Sequence, residues 1–149
     1  TKTTSNSENF PNRNFDIESY QIEPKIGYLF SKNASWDIFY EYQQKENKIG
    51  TFETLKQTRL GTSFTFNSEK GFSMNGEFSM YNNSFEGNAL SAVGFQMLEG
   101  LQPGKNQTWR LLLQKNLTQY LDVNINYQGR NSETSKTIHT GNVQLRAFF

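Results

Sequence analysis

A length of 149 residues suits a single domain, and a formal charge of +1, from 15 Lys and Arg against 14 Asp and Glu, supplies no field for nucleic acid or acidic substrates. The absence of cysteine excludes disulfides, thiolate metal sites and cysteine nucleophiles together. Mean hydropathy is −0.75 and no apolar run approaches the roughly 20 residues of a membrane helix, which excludes a helical span, yet 15% of the residues are aromatic.

Residues 1–14, rich in Thr, Ser and Asn, read as a polar loop or tether, and residues 15–149 as a succession of strands. The first strand, over 18–30, alternates Tyr20, Ile22, Pro24, Ile26, Tyr28 and Phe30 with Gln21, Glu23, Lys25 and Gly27. A period of two marks a strand with one apolar and one wet face. Pro24 has no amide hydrogen to give a ladder, so an irregularity is expected there. After a tight turn at 31–34, the second strand sets Trp36, Ile38, Tyr40 and Tyr42 against Asp37, Phe39, Glu41 and Gln43. A polar loop over 45–53 leads to the third, where Thr58, Leu60, Thr62, Phe64 and Phe66 oppose Gln57, Arg59, Gly61, Ser63 and Thr65. A turn at 67–70 leads to the fourth, with Phe72, Met74, Gly76, Phe78 and Met80 against Ser73, Asn75, Glu77 and Ser79.

A long connection over 82–106 breaks the alternation. Within it Leu90, Val93, Met97 and Leu101 recur at helical spacing, predicting a short helix ended by Gly100 and Gln102-Pro-Gly-Lys105. A loop of this length folds back as a cap or offers these residues to a partner. The fifth strand sets Trp109, Leu111 and Leu113 against Arg110, Leu112 and Gln114; the sixth sets Leu121, Val123, Ile125 and Tyr127 against Asp122, Asn124, Asn126 and Gln128. A polar loop over 129–136 precedes the seventh, where Val143, Leu145, Ala147 and Phe149 alternate with Asn142, Gln144 and Arg146.

Alternation alone does not separate a membrane barrel from a soluble ligand-binding one, which is apolar inside and polar outside. The closing strand, stopping on the aromatic Phe149, resembles that of bacterial outer-membrane β-barrels, whose terminal aromatic is read by the assembly machinery. The resemblance implies an assembly signal at Val143, Leu145, Ala147 and Phe149 and a periplasmic C-terminus. In that orientation Phe30, Trp36, Phe66, Phe72 and Phe149 fall at the periplasmic rim and Tyr20, Tyr42, Trp109 and Tyr127 near the outer one, as two aromatic girdles. The connections after the first, third and fifth strands are short and the others longer, the asymmetry of short periplasmic turns and long outer loops. The opposite face carries Glu23, Lys25, Asp37, Glu41, Arg59, Glu77, Arg110, Asp122 and Arg146. Lipid penalises a midplane Arg or Lys by roughly 2–4 kcal/mol, so such charges collect in a lumen, as a selectivity lining or as ion pairs filling it.

The stretch Phe95-Gln-Met-Leu-Glu-Gly-Leu-Gln-Pro-Gly-Lys-Asn-Gln-Thr-Trp109, followed by Tyr127-Gln-Gly-Arg-Asn131 and the closing strand, resembles the C-terminal ends of large outer-membrane proteins of Bacteroidota. That likeness implies an outer-membrane barrel end associated with export or surface-assembly machinery, and it transfers no catalytic residue. Seven strands against the even number of bacterial barrels, a first residue other than Met and no signal peptide predict the C-terminal part of a larger barrel. The remaining strands are then expected from an upstream part of the polypeptide or from other outer-membrane subunits. His139, the single histidine, lies near Ser132, Glu133 and Ser135, but no nucleophile motif surrounds either serine.

The expected protein is therefore an all-β, antiparallel up-and-down transmembrane barrel of the bacterial outer membrane. It is non-enzymatic, has no cofactor or metal, contacts outer-membrane lipid and, during insertion, the assembly machinery, and belongs to a transport, secretion or surface-assembly complex. A scaffolding barrel with a filled lumen, binding partners through its outer loops, and a soluble ligand-binding barrel are the alternatives.

Overall fold

In a computed structural model, which describes residues 1–6 and 14–148, the chain forms one antiparallel sheet and a short helix. The elements are β1 (Lys2–Ser5), β2 (Phe15–Ile22), β3 (Lys25–Ser31), β4 (Ala34–Asn47), β5 (Thr54–Ser68), β6 (Phe72–Glu86), α1 (Ala92–Leu98), β7 (Gly104–Thr118), β8 (Leu121–Ser132) and β9 (Ser135–Ala147). The order is β1-β2-β4-β5-β6-β7-β8-β9, with β3 beside β4. This is an up-and-down meander that stays open: β9 pairs with β8 at one side, and β3 with β4 at the other.

Side-chain alternation fixes the register. Tyr28, Trp36, Phe64, Gly76, Leu111, Tyr127 and Gly141 lie opposite one another from β3 to β9. One residue along, Asp37, Ser63, Glu77, Arg110, Gln128 and Thr140 form the adjacent row on the other face. A slip of one residue would exchange the faces, which is why a strongly two-faced sequence specifies its pairing. The first expected strand is split into β2 and β3 at Pro24, yet Ile22 opposite Tyr42 and Lys25 opposite Phe39 keep one register. The Pro24 carbonyl still accepts from the Tyr40 amide at 3.1 Å. Proline interrupts the donors without shifting the strand.

Four expectations are corrected, the first being the loop over 45–53, which is shortened to 48–53 because β4 runs to Asn47. Residues 1–14 are not wholly a tether, because β1 pairs with β2 from Lys2 opposite Glu18 to Ser5 opposite Phe15; the expected tether over 7–13 lies outside the described residues. The long connection is shorter than 82–106, since β6 runs to Glu86 and β7 begins at Gly104. The loop expected at 129–136 is a two-residue turn at 133–134, because β8 and β9 continue as strands to Ser132 and from Ser135. In β1 and at the junction of β8 and β9 the added strand is polar on both faces, so its hydropathy carries no period of two; in β6 the added Phe85 puts an apolar residue on the face that is polar elsewhere, which breaks the pattern. Tight turns at 32–33, 69–71 and 119–120 cluster at one end of the sheet, and the connections at 48–53, 87–103 and 133–134 at the other. These are the turn end and the loop end below.

Candidate functional site

Along most of the sheet the faces are arranged contrary to a soluble core. The apolar face is the open one: Ile26 is 80% exposed, Val143 67%, and Tyr28, Trp36, Ile38, Tyr40 and Leu60 are exposed as well. Burial falls instead on the polar face, at Phe39, Glu41, Gln43, Gln57 and Ser79. That face is hollow. One cavity of about 460 Å³ draws its lining from β5 to β9, with Asn75, Gln114, Asn124, Asn126, Asn142 and Gln144 giving it an uncharged amide surface. A second, of about 500 Å³, lies toward the loop end between Glu77, Arg110, Gln128 and Arg130.

Arg59 is the hub of the charged part. It donates from Nη2 to Glu77 Oε1 at 2.7 Å, from Nη1 to Glu41 Oε2 at 3.3 Å and from Nε to Ser79 Oγ at 3.1 Å. Arg110 Nη2 reaches the other Glu77 oxygen at 3.3 Å, so alternating charges cross β4, β5, β6 and β7. The Arg59 guanidinium also lies over the Phe39 ring, 4.5 Å from its centroid. Phe39 lies flat only because its cross-strand neighbour is Gly61, where a Cβ would stand 2.2 Å from the ring. Lys25 pairs with Asp37 at 3.0 Å, and Glu23 is within hydrogen-bonding reach of Glu41. Asp122 and Arg146 face each other in register near the turn end. The nine charges named from sequence thus share one face, and seven of them join in local contacts.

Toward the loop end the polarity inverts. There the formerly polar face carries Ile17 and Leu55, and α1 lays Val93, Met97 and Leu98 onto them, with Phe15, Phe85 and Ala89 packed around. The formerly apolar face carries ions: Lys2 pairs with Asp16 at 2.8 Å, and Lys48 with Glu18 at 3.6 Å and with Glu46. Ser91 caps the helix, its Oγ accepting from the Gly94 amide at 2.9 Å, and Glu99 ends it in the left-handed region.

These caps correct the expected cap residues. Val93 and Met97 are buried, but Leu90 precedes the cap and is 91% exposed, and Leu101 follows the helix end and is half-buried. Leu98 completes the buried stripe in their place.

Four strands hold this loop by its backbone. Lys45 Nζ donates to the Met97 carbonyl at 2.9 Å and pairs with Glu99 at 2.5 Å, a cation at a helix C-terminus. Asn83 and Asn106 each donate to the Gln102 carbonyl, at 3.0 and 2.7 Å, and Arg130 donates to the Gly100 carbonyl at 2.9 Å. Lys45, Asn83 and Asn106 are buried. None was singled out from sequence. The available signal was Ile17, Leu55 and Phe85, apolar residues at polar-parity positions beside a helix with an apolar stripe. Nearby, Glu53 is buried in the 48–53 loop. Burial works to raise its pKa, but hydrogen bonds from Thr51, Asn47 and its own amide outweigh that and hold it below the ordinary carboxylate value.

Some of the aromatic positions bracket the apolar band. Phe66 and Phe72 meet at 6.1 Å, and Phe30 packs on Tyr28 at 4.9 Å, at the turn end. Tyr20 and Tyr42 lie toward the loop end of β2 and β4, whereas Trp109, whose Nε1 donates to Tyr127 Oη at 3.3 Å, lines with Tyr127 the same apolar hollow as Trp36, so the structure does not separate these three into two girdles. Phe149, in both the girdle and the assembly signal, lies outside the described residues; Val143, Leu145 and Ala147 occupy β9 with exposed side chains. His139 stacks on Tyr127, its Nδ1 2.9 Å from the phenolic oxygen, while Ser132 and Ser135 hydrogen-bond each other and Glu133 pairs with Lys105. Among the described residues no three His, Cys, Asp or Glu side chains converge as metal ligands, and no helix is long and apolar enough to cross a membrane. Comparison with protein-family models, with curated proteins and with solved structures finds no match for the chain.

Proposed function

We propose that the sheet is part of the wall of a bacterial outer-membrane β-barrel of the Bacteroidota kind, acting without catalysis in a transport, secretion or surface-assembly complex. The observation that supports this reading best is the inverted distribution of side chains, with exposed Ile26, Tyr28, Leu60 and Val143 on one face and the Glu41–Arg59–Glu77 network, buried at Glu41 and half-buried at the other two, on the other. A soluble barrel gains its stability by burying the apolar face, whereas lipid rewards leaving it outward. The band runs from Trp36 to Tyr42 on β4 and from Phe72 to Met80 on β6. At about 3.3 Å per residue this is roughly 20–26 Å along the strands, or about 15–20 Å of height at a tilt near 40°, somewhat less than the apolar height of about 25 Å in such barrels. Fractionation of native cells followed by a carbonate wash tests the reading: the polypeptide carrying these residues is expected in the washed outer membrane, and recovery in the soluble fraction contradicts it.

A second reading, a scaffolding barrel whose interior is filled, draws support from the grip of Lys45, Asn83, Asn106 and Arg130 on the loop that carries α1. A loop held from four strands acts as a fixed cap rather than a lid. Single-channel recording separates the two: the scaffold reading expects no steady conductance from the intact polypeptide and conductance after removal of 87–103, and the transport reading expects conductance in both.

A further inference from the structure

We infer that the bare edge along β3 is filled by a strand continuous with β1, supplied by the polypeptide leading into Thr1; this rests on the membrane reading above. β1 covers only the loop-end part of β2, ending where the Thr1 amine donates to the Ser19 carbonyl at 2.7 Å and the Ser19 amide donates to the Thr1 carbonyl at 2.8 Å. Beyond that point the backbone groups alternate in direction. Because the Tyr40 amide bonds the Pro24 carbonyl, the even positions face β4, and Gln21, Glu23, Lys25, Gly27 and Leu29 turn their N–H and C=O toward the bare edge. That edge runs beside Ile22, Ile26 and Tyr28, within the apolar band, where unpaired backbone groups are not tolerated in lipid.

Pro24 points the same way. Proline in a sheet is normally found with its missing donor turned outward on an edge strand. Here the missing donor faces β4, and the donors of the neighbouring Glu23 and Lys25 on the bare side are intact. Pro24, Lys25 and the bulge between Leu29 and Ser31 are features that protect natural edges, but they leave the backbone donors on the bare side available for pairing.

Direction selects the occupant. β2, β3 and β9 all run from the loop end to the turn end, so β9 cannot close an antiparallel sheet on β3. β1 runs the opposite way, and a backward extension of it past Thr1 lies antiparallel to β3 without a turn. Counting on from the Thr1–Ser19 pair places the tenth residue before Thr1 opposite Leu29.

The test uses the intact polypeptide in outer-membrane vesicles, with Leu29→Cys and a cysteine at that tenth position as its only cysteines. An internal disulfide is expected on mild oxidation. A disulfide joining two copies, or none while cysteines two residues to either side cross-link, overturns the proposal. Amide exchange gives a second reading that needs no variant. Gln21, Lys25, Gly27 and Leu29 are expected to exchange as slowly as their even-numbered neighbours in the intact polypeptide and to lose that protection when the segment before Thr1 is cleaved away. Fast exchange in the intact form, or slow exchange after cleavage, contradicts it. Quenching of Trp36 by brominated lipid reports separately on the membrane reading, so a dry Trp36 with no disulfide sinks the edge proposal alone.

Discussion

The two ends of the same strands obey opposite rules. Between the turn end and the level of Tyr42 the apolar side chains point out and the charges in; past that level Ile17, Leu55 and α1 form an ordinary apolar core on the inner face, and Lys2, Asp16, Lys48 and Glu18 occupy the outer one. A β-strand offers two faces and is indifferent to which is apolar, so the surrounding medium decides. Under the proposed membrane reading, the inversion within β4 and β5 is where the medium would change from hydrocarbon to water. On that reading the loop-end part is a small layer with an ordinary apolar core, set on a wall whose apolar face is turned to lipid.

The largest expected effect comes from the loop-end core. Met97→Ala, at a fully buried position there, is expected to cost about 2–5 kcal/mol locally, read as proteolysis within 87–103 while the wall stays folded. Equal loss at both ends would mean that the two layers are one cooperative unit.

A charge scan across the boundary sharpens the comparison further. Leu60→Arg, in the apolar band, should cost about 2–4 kcal/mol of insertion free energy, whereas Ser84→Arg, on the same face beyond it, should stay within about 0.5 kcal/mol. Similar costs at the two sites would erase the boundary. The interior of the wall comes next. Arg59→Met leaves buried Glu41 without its cation and Glu77 with Arg110 alone on a half-buried face, and losing the charged hydrogen-bond partner there costs about 1.5–3 kcal/mol. Detergent-resistant folding measured against urea should fall by that order.

The smallest effect is a pH response confined to the loop end. Glu53 is held below its unfolded value of about 4.3, so it binds fewer protons folded than unfolded. Its contribution is present above that value and is lost as pH falls through the lower folded one. Amide exchange in 48–53 should quicken below about pH 4, and Glu53→Gln should abolish that step; an unchanged response in the variant would assign it elsewhere.

How much of this was legible in the sequence follows the same division. Within the band, Trp36, Ile38, Tyr40 and Tyr42 against Asp37, Glu41 and Gln43 announce both the strand and its faces, because successive residues of a strand point to opposite faces and here those faces differ in chemistry. Beyond it, the end of β8 and the start of β9 are polar on both faces, so the strands there are set by pairing with their neighbours and leave no period to read. β1 was hidden for the same reason, since Lys2 and the Thr residues beside it show no apolar face. In α1 the spacing of Leu90, Val93, Met97 and Leu101 was real, but Ser91 and the left-handed Glu99 cut both ends, and Leu98 takes the packing position. The holders Lys45, Asn83, Asn106 and Arg130 bond to carbonyls far away in sequence, which no local pattern encodes.

The claim that the apolar face meets hydrocarbon can be measured directly with the chain's two tryptophans, Trp36 and Trp109, since both lie on that face and line one apolar hollow of it. The intact polypeptide and its Trp36→Phe and Trp109→Phe variants would be placed in bilayers of plain and of acyl-brominated lipid, and the fluorescence assigned to each ring by difference. Strong quenching of both by bromine is predicted. Equal emission in the two lipids would contradict the account, because it would put both rings against protein or water and leave the inverted sheet without its solvent.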